Sequence, residues 1–199
     1  MAKKFKPLTL TSLALVLTAL LTPSISFAAA PYPAYSNIPG LKVAQVTLAR
    51  THILTPGGYD LTKAIPMGGA HNPHWAACQG YTTYVAPEYA IHSMEHGAVW
   101  IAYDPKLSSK AINSLLALTI KNTVLLVTPV PHAPNPITVT AWAHQITATS
   151  ANDPRIAQFI KIYQLGPQTP ELGVPCRQGG VTDPKILQSP KNFPGGMGM

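Results

Sequence analysis

The chain is poor in charged and aromatic residues. Only 11% of its 199 residues are charged and only 8% are Phe, Trp or Tyr, whereas about a quarter of the residues in a typical globular domain are charged. Its 14 Lys and Arg outnumber its 7 Asp and Glu, but no Lys/Arg cluster is interleaved with aromatic residues. Such a cluster is the electrostatic footprint of nucleic-acid binding. We therefore expect no nucleic acid as a partner.

The sequence also lacks an apolar run long enough for a comfortable transmembrane span. Its candidate, Leu8 to Leu21, follows three lysines and precedes Ser26-Phe27-Ala28, which has small residues where a signal peptidase reads them. We predict a signal peptide over residues 1–28 and an exported protein, periplasmic or extracellular, with no transmembrane span after cleavage. Three of the 14 basic residues lie in this segment, so the mature chain has a modest net charge of about +4.

Cysteine is nearly absent, since Cys78 and Cys176 are the only two. In an oxidising compartment the pair can form a disulfide. The chain-entropy model gives a loop of this length about 4 to 5 kcal/mol, of which strain can remove much. The alternative is that one thiolate ligates a soft metal near the histidines. We favour the disulfide because a free thiol outside the cytoplasm is vulnerable to oxidation.

The mature chain, with roughly 170 residues, suits one domain with a substantial core. Residues 29–42 are rich in Pro, Tyr, Ala and Ser and are predicted to form an extended linker. Residues 43–181 are predicted to form the domain, and residues 182–199, where Pro, Gly, Ser and Lys dominate, a disordered tail. The order of elements indicates a single compact α+β domain with a mainly antiparallel sheet and two principal helices.

Helix start signals and apolar periodicity place these elements. Ser108 and Asp153-Pro154 are predicted to begin two helices. Their apolar stripes follow the helical period and consist of Ile112, Leu115, Leu116 and Ile120 in the first helix and Ile156, Phe159, Ile160 and Tyr163 in the second. Strands are predicted over residues 43–48, 98–103, 123–128 and 137–144, the last from strict alternation of apolar and polar residues.

The densest group of chemically active residues is His92-Ser93-Met94-Glu95-His96, followed by Gly97 and an apolar run. Residues four apart share one side of a helix, and an even separation returns to the same face of a strand. The imidazoles of His92 and His96 can therefore bind one common partner in either conformation. We favour a short helix from about Glu88 to His96, ended by Gly97, over one continuous strand.

Two imidazoles on one face beside a carboxylate favour a metal site. His71 is the preferred third ligand because it lies on a Gly-rich loop, and His52 and His74 are held in reserve. Glu95 is expected to be the fourth ligand or the carboxylate that orients an imidazole. Imidazole suits several transition metals, and we expect copper or zinc. His144 is expected at the surface, on the polar face of its strand.

Two other functions remain open at this point. The H-x-x-E-H pattern is that of inverted zinc peptidases, in which Glu95 would act as the general base of a metal-dependent hydrolase. Alternatively, the histidines and Glu95 form a buried polar network that fixes the fold of a non-catalytic envelope protein. Its partner would then be another envelope protein. Whether the protein is an enzyme is left open.

Over about residues 52–181 the sequence resembles the bacterial family called domain of unknown function 3105. The resemblance is carried by Gly68-Gly69-Ala70-His71-Asn72-Pro73, the 75–80 stretch, the 92–100 motif, Thr140-Ala141-Trp142, the 166–171 stretch, Cys176 and Gly179-Gly180. It implies a disulfide between the two cysteines and one site formed by His52, His71, His92, Glu95 and His96. Met94 stands where the family commonly has leucine, which speaks against the thioether as a general ligand.

Overall fold

The computed structural model describes Met1 and residues 31–189. Apart from Met1, the predicted signal peptide lies outside the described residues, as do the first residues of the predicted linker and the end of the predicted tail, residues 190–199. Within the described part, no helix has both the length and the apolar character needed to cross a membrane.

A five-stranded sheet in the order β1-β5-β4-β2-β3 forms the centre of the fold. Its strands are β1 (Lys42–Val43), β2 (Val99–Tyr103), β3 (Leu125–Pro129), β4 (Ile137–Ala141) and β5 (His144–Ala148). The helices are α1 (Pro87–Glu95), α2 (Ser109–Lys121), α3 (Pro154–Tyr163) and α4 (Pro184–Leu187). The β2/β3 pair is parallel and the other pairs of the sheet are antiparallel. This confirms the predicted single α+β domain with a mainly antiparallel sheet.

Helix α2 makes the crossover that the parallel strands β2 and β3 require. As predicted, Ser108 caps it, and its side chain accepts a hydrogen bond from the backbone N–H of Ala111. The buried side is centred on Leu115, which has no exposed surface, whereas Ile120 is 76% exposed. Ile120 was placed in the apolar stripe, but it lies about 140° around the helix from Leu115. The prediction for Ile120 is therefore wrong.

Residues 137–144, predicted to form a single strand, instead form strand β4, a turn and the first residue of β5. Strands β4 and β5 are joined by Trp142 and Ala143, and Ala143 has φ of 62°. Because apolar and polar residues keep alternating through the turn, the pattern hides it. His144 is fully buried rather than at the surface. Its Nδ1 lies 2.8 Å from the carbonyl oxygen of Trp142 and its Nε2 lies 2.9 Å from that of Pro33.

The later helices follow their sequence signals. Asp153 caps α3 and the four predicted stripe residues are buried. Asp183 caps α4 in the same way, with Pro184 at the first helical position and Leu187 buried. Helix α4 lies within the segment predicted to be a disordered tail, so regular structure continues to Leu187. Of the predicted strand over 43–48, only Val43 lies in a strand, β1 (Lys42–Val43), which pairs with β5.

Cys78 and Cys176 form a disulfide with a Cα–Cα distance of 5.3 Å. This confirms the favoured prediction and removes the alternative of a thiolate ligand. The carbonyl oxygen of Cys176 accepts hydrogen bonds from the backbone N–H of Cys78, at 3.1 Å, and from the indole N–H of Trp75, at 3.2 Å. The bridge therefore holds Trp75, whose ring stands beside His92 and His96.

Candidate metal centre

Helix α1 is buried along its whole length. It ends in a Schellman arrangement, since the N–H of Ala98 donates to the carbonyl oxygen of Ser93 and that of Gly97 to Met94, both at 3.0 Å. Gly97 has φ of 96°, in the region that favours glycine. His96 is the residue that follows the helix. These features confirm the short helix that leads into a strand, with Gly97 as its terminator.

A second segment brings His52 and His71 together. The N–H of Ile53 donates to the carbonyl oxygen of His71 at 2.6 Å, and the N–H of His71 donates to that of Thr51 at 2.9 Å. The loop before His71 needs glycine at Gly69, where φ is 130° and an added Cβ would lie 2.5 Å from the hydroxyl of Tyr59. The Gly-rich loop can therefore place the imidazole of His71 against helix α1, as the sequence suggested.

Four potential ligands converge from these segments. His52, His71, His92 and Glu95 each offer one ligand atom, and these atoms all lie within 4.8 Å of one another. His52 is exposed and the other three are buried. Ligands that share one ion with bonds of about 2.0 to 2.2 Å lie roughly 3 to 4 Å apart. The group is therefore close to the dimensions of a single metal site.

Backbone carbonyl groups fix the tautomers of two of these histidines. Nδ1 of His71 lies 2.7 Å from the carbonyl oxygen of Gly69, and Nδ1 of His92 lies 2.6 Å from that of Asn72. Because a carbonyl oxygen only accepts hydrogen bonds, Nδ1 carries the proton in both rings. In a neutral imidazole the Nε2 atom then offers a lone pair. Metal-ligating histidines are oriented by this same kind of partner.

Glu95 lies directly against His71. Its Oε2 is 2.7 Å from Nε2 of His71, but the contact lacks hydrogen-bond geometry, and both buried atoms have no hydrogen-bond partner among the described residues. The other oxygen, Oε1, accepts a hydrogen bond from Nε of Arg50 at 2.8 Å. Burial alone would raise the pKa of Glu95, but interactions with His71 and Arg50 outweigh it and lower this pKa to about 2. Glu95 is therefore a carboxylate.

His96 lies beside the four converging residues rather than among them. Its Nε2 is 3.0 Å from Nε2 of His92 and 3.7 Å from Oε2 of Glu171. Its Nδ1 is buried without a partner among the described residues. Because Nδ1 of His92 carries the proton of that ring, the 3.0 Å contact requires a proton on Nε2 of His96, facing the lone pair of His92. A metal ion that takes this lone pair must displace His96 or gain it as a further ligand.

The rim of the site is charged and partly open to solvent. Arg50, 49% exposed, also donates from its Nη2 to Oε1 of Glu171 at 2.9 Å. The pKa of His74 is lowered, mainly by burial and further by the charge of the nearby His52. On the inner side the ring centroid of Trp75 lies 5.6 Å from that of His92. An ion at the site would therefore have an indole nearby.

Comparison with known proteins identifies the family. A family model described as "Protein of unknown function (DUF3105)" matches residues 52–178. The chain belongs to this family. The match spans all four converging residues as well as His96 and both cysteines, and it confirms the resemblance drawn from the motifs. No curated protein and no solved structure matches the chain.

Sequence reasoning missed several parts of the site in this DUF3105 protein. Arg50 precedes the matched region and offered no signal beyond its position two residues before His52. Glu171 lies in the 166–171 stretch that carries the family resemblance, where an exposed acid gave no reason to expect a contact with His96. The groups of Gly69 and Asn72 that orient the histidines are backbone carbonyls, which every residue has, so the sequence gives no signal for them.

Proposed function

We propose that this DUF3105 protein is an exported metal-binding protein that holds one transition-metal ion, copper or zinc, through His52, His71, His92 and Glu95. Its role would be the handling of that metal outside the cytoplasm. The observation that carries the proposal is the convergence of one carboxylate with two imidazoles whose Nδ1 atoms are held by carbonyl oxygens. Hydrogen bonds from the ring nitrogen that does not bind the metal fix the orientation of ligating histidines.

The exposure of His52 supports reversible binding. Three candidate ligands are buried and His52 is exposed, so an incoming ion or a competing ligand can approach from that side. A structural zinc site, by contrast, is closed on all four sides. Export is supported by the signal-peptide pattern of residues 1–28 and by the disulfide, because disulfides persist mainly in oxidising compartments.

Hydrolysis is the second candidate, because His92 and His96 lie at the end of a helix with their Nε2 atoms 3.0 Å apart, as the H-x-x-E-H pattern requires. Glu95 is poorly suited to be its general base. A general base works best with a pKa near the operating pH, and the pKa of Glu95 is lowered to about 2 with both oxygens in contact with His71 and Arg50. Binding is therefore favoured over hydrolysis.

Elemental analysis of the mature protein, purified from its native compartment without a histidine tag, tests the proposal. We expect about one equivalent of copper or zinc, and none in a folded His71→Ala/His92→Ala double variant. The metal found would then select transport or hydrolysis as the next assay. Absence of metal from both proteins, with the double variant losing stability, would reject metal binding and support a structural histidine network instead.

A further inference from the structure

A cavity separate from the histidine cluster opens at the start of helix α1. Its volume is about 180 Å³, which is below the range of roughly 300 to 1,000 Å³ for sites that hold drug-sized molecules. The cavity is therefore of a size for a small group rather than for a whole cofactor. The lining residues that matter here are Tyr59, Tyr84, Glu88, Gln188 and Ser189.

Glu88 is an acidic residue of this wall and is only 3% exposed. Its Oε1 accepts a hydrogen bond from the N–H of Gly57 at 2.6 Å. Within residues 31–189, no Lys, Arg or His forms an ion pair with it. A buried carboxylate is costly unless a positive group compensates it. A cation bound in the cavity would therefore face a carboxylate that forms no ion pair within the described part of the chain.

Two tyrosine rings stand around this carboxylate. Burial, and then the charge of Glu88, raise the pKa of both Tyr59 and Tyr84 to about 12, so both are neutral phenols. The hydroxyl of Tyr59 donates to the carbonyl oxygen of Ala70 at 2.6 Å, which fixes that ring. Aromatic faces attract cations, and they do so more strongly when the cation is shielded from water.

The composition of the wall selects the kind of cation. Calcium takes six to eight oxygen ligands and magnesium needs an octahedral set, and both favour carboxylates. This wall has a single carboxylate, Glu88, and its other side-chain oxygens, those of Tyr59, Tyr84, Gln188 and Ser189, are neutral. An organic ammonium group matches one carboxylate with aromatic walls, because it needs a counter-charge and apolar contact rather than many oxygens. We propose that this cavity binds an organic ammonium group, with Glu88 as counter-ion and Tyr59 and Tyr84 as aromatic walls.

The ammonium group has two conceivable sources, a separate molecule or a lysine of this chain. Lys191 follows Ser189, a lining residue, by two positions in the sequence. The site is independent of the proposed metal. Binding is detected at residues around the cavity, so a negative result would not count against the metal proposal.

The test is a titration of the isotope-labelled mature protein, followed by amide chemical shifts, with choline, n-butylammonium and neutral 3,3-dimethylbutan-1-ol, which has the shape of choline. We expect saturable shifts at residues around Glu88 with at least one ammonium probe and much weaker binding of the alcohol. Glu88→Gln should weaken binding about tenfold or more, because a buried charge pair loses one partner, and Tyr84→Leu should weaken it to a lesser degree. Asp104→Asn removes an acid elsewhere and should bind as the unaltered protein does.

A Lys191→Gln chain separates the two sources. Binding by the unaltered protein supports a separate ligand, and binding that appears only in Lys191→Gln supports occupancy by that lysine. The proposal is overturned if neither chain binds either ammonium probe or if the alcohol binds as tightly as choline. It is equally overturned if folded Glu88→Gln binds like the unaltered protein. The comparison of charged and neutral probes is made on the unaltered protein and on Lys191→Gln, so it decides even if Glu88→Gln does not fold.

Discussion

Nε2 of His71 and Oε2 of Glu95 lie 2.7 Å apart in the interior of the protein, and neither has a hydrogen-bond partner among the described residues. Nδ1 of His71 faces the carbonyl oxygen of Gly69, so a neutral His71 turns a lone pair toward a carboxylate. Two electron-rich atoms this close need a positive charge between them, which a proton on Nε2 of His71 supplies in the apo protein and a metal ion can replace. In the proposed metal-bound state, a shared ion would bind both atoms.

Replacing His71 by alanine should remove a ligand and leave the sheet unaltered, because this buried residue lies in a loop outside the strands. We expect the dissociation constant for Zn(II) or Cu(II) to rise about 100-fold or more, equivalent to about 2.7 kcal/mol. Competition with a chromophoric chelator measures it. His132→Asn is the matched control, because His132 lies in a turn with φ of 62°, where asparagine is tolerated. Equal affinities of His71→Ala and His132→Asn would contradict the proposed ligand set.

Arg50 should weaken metal binding, because its positive charge lies beside the carboxylate of Glu95. Its guanidinium holds Oε1 of Glu95 at 2.8 Å, so Arg50→Gln should free the carboxylate and raise metal affinity about tenfold, or about 1.4 kcal/mol. The same change should lower the free energy of unfolding of the apo protein by about 1 to 3 kcal/mol, because a buried carboxylate loses its partner. Calorimetry measures the metal affinity, and urea denaturation measures the free energy of unfolding.

Lys63→Gln serves as the control for Arg50, since it breaks an exposed ion pair with Asp60. Exposed pairs contribute about 0 to 1 kcal/mol, so metal affinity and stability should change little. Weaker metal binding by Arg50→Gln would show that the guanidinium supports the site instead of competing for it.

The apo protein should lose stability in acid through His92. Burial lowers the pKa of His92 to about 3, against about 6.5 in an unfolded chain. Between these values the unfolded state binds one more proton than the folded state. The free energy of unfolding therefore falls as pH drops from about 6.5 to about 3, by up to about 1.4 kcal/mol per pH unit. Glu95, with its pKa lowered to about 2, adds a loss below about pH 4.5.

Urea denaturation in chelator across this pH range measures the effect. His92→Gln should flatten the slope between about pH 6.5 and 4.5, where the carboxylate contributes little. An unchanged slope in a folded His92→Gln variant would show that another group titrates.

The disulfide should stabilise the fold without contributing a metal ligand. Cys78 and Cys176 are 98 residues apart in the sequence, and loss of such a bridge from a small domain typically costs about 2 to 5 kcal/mol. We expect Cys78→Ala/Cys176→Ala to lose stability of this order while still binding one metal ion, as read by urea denaturation and metal titration. A variant that stays folded yet no longer binds metal would indicate a sulfur ligand.

Local sequence signals anticipated much of the fold because they act over a few residues. Ser108, Asp153 and Gly97 begin or end helices through hydrogen bonds and backbone angles that each residue imposes on its own neighbourhood. The hairpin at Trp142 and Ala143 was missed because Ala143 takes a positive φ that nothing in its residue type requires. Its conformation is set by the pairing of β4 with β5.

The candidate site was partly predictable for the same reason. The spacing of His92, Glu95 and His96 is local, and His71 stood out by its Gly-rich loop, but His92 and His96 differ in their positions at the site because of tertiary contacts. Asn72 orients His92 from 20 residues away, and Arg50 reaches Glu95 from 45 residues away. Partners this distant leave no periodic pattern in a single sequence.

X-ray absorption at the metal edge of the mature protein, loaded with one equivalent of zinc or copper, tests the central claim most directly. It counts the imidazoles and identifies the other atoms bound to the ion. We expect three imidazoles and one carboxylate in the unaltered protein and one imidazole fewer in His52→Ala, whose exposed ligand can be removed with little effect on the core. A spectrum with only water oxygens around the ion, or one unchanged by His52→Ala, would contradict the proposed site.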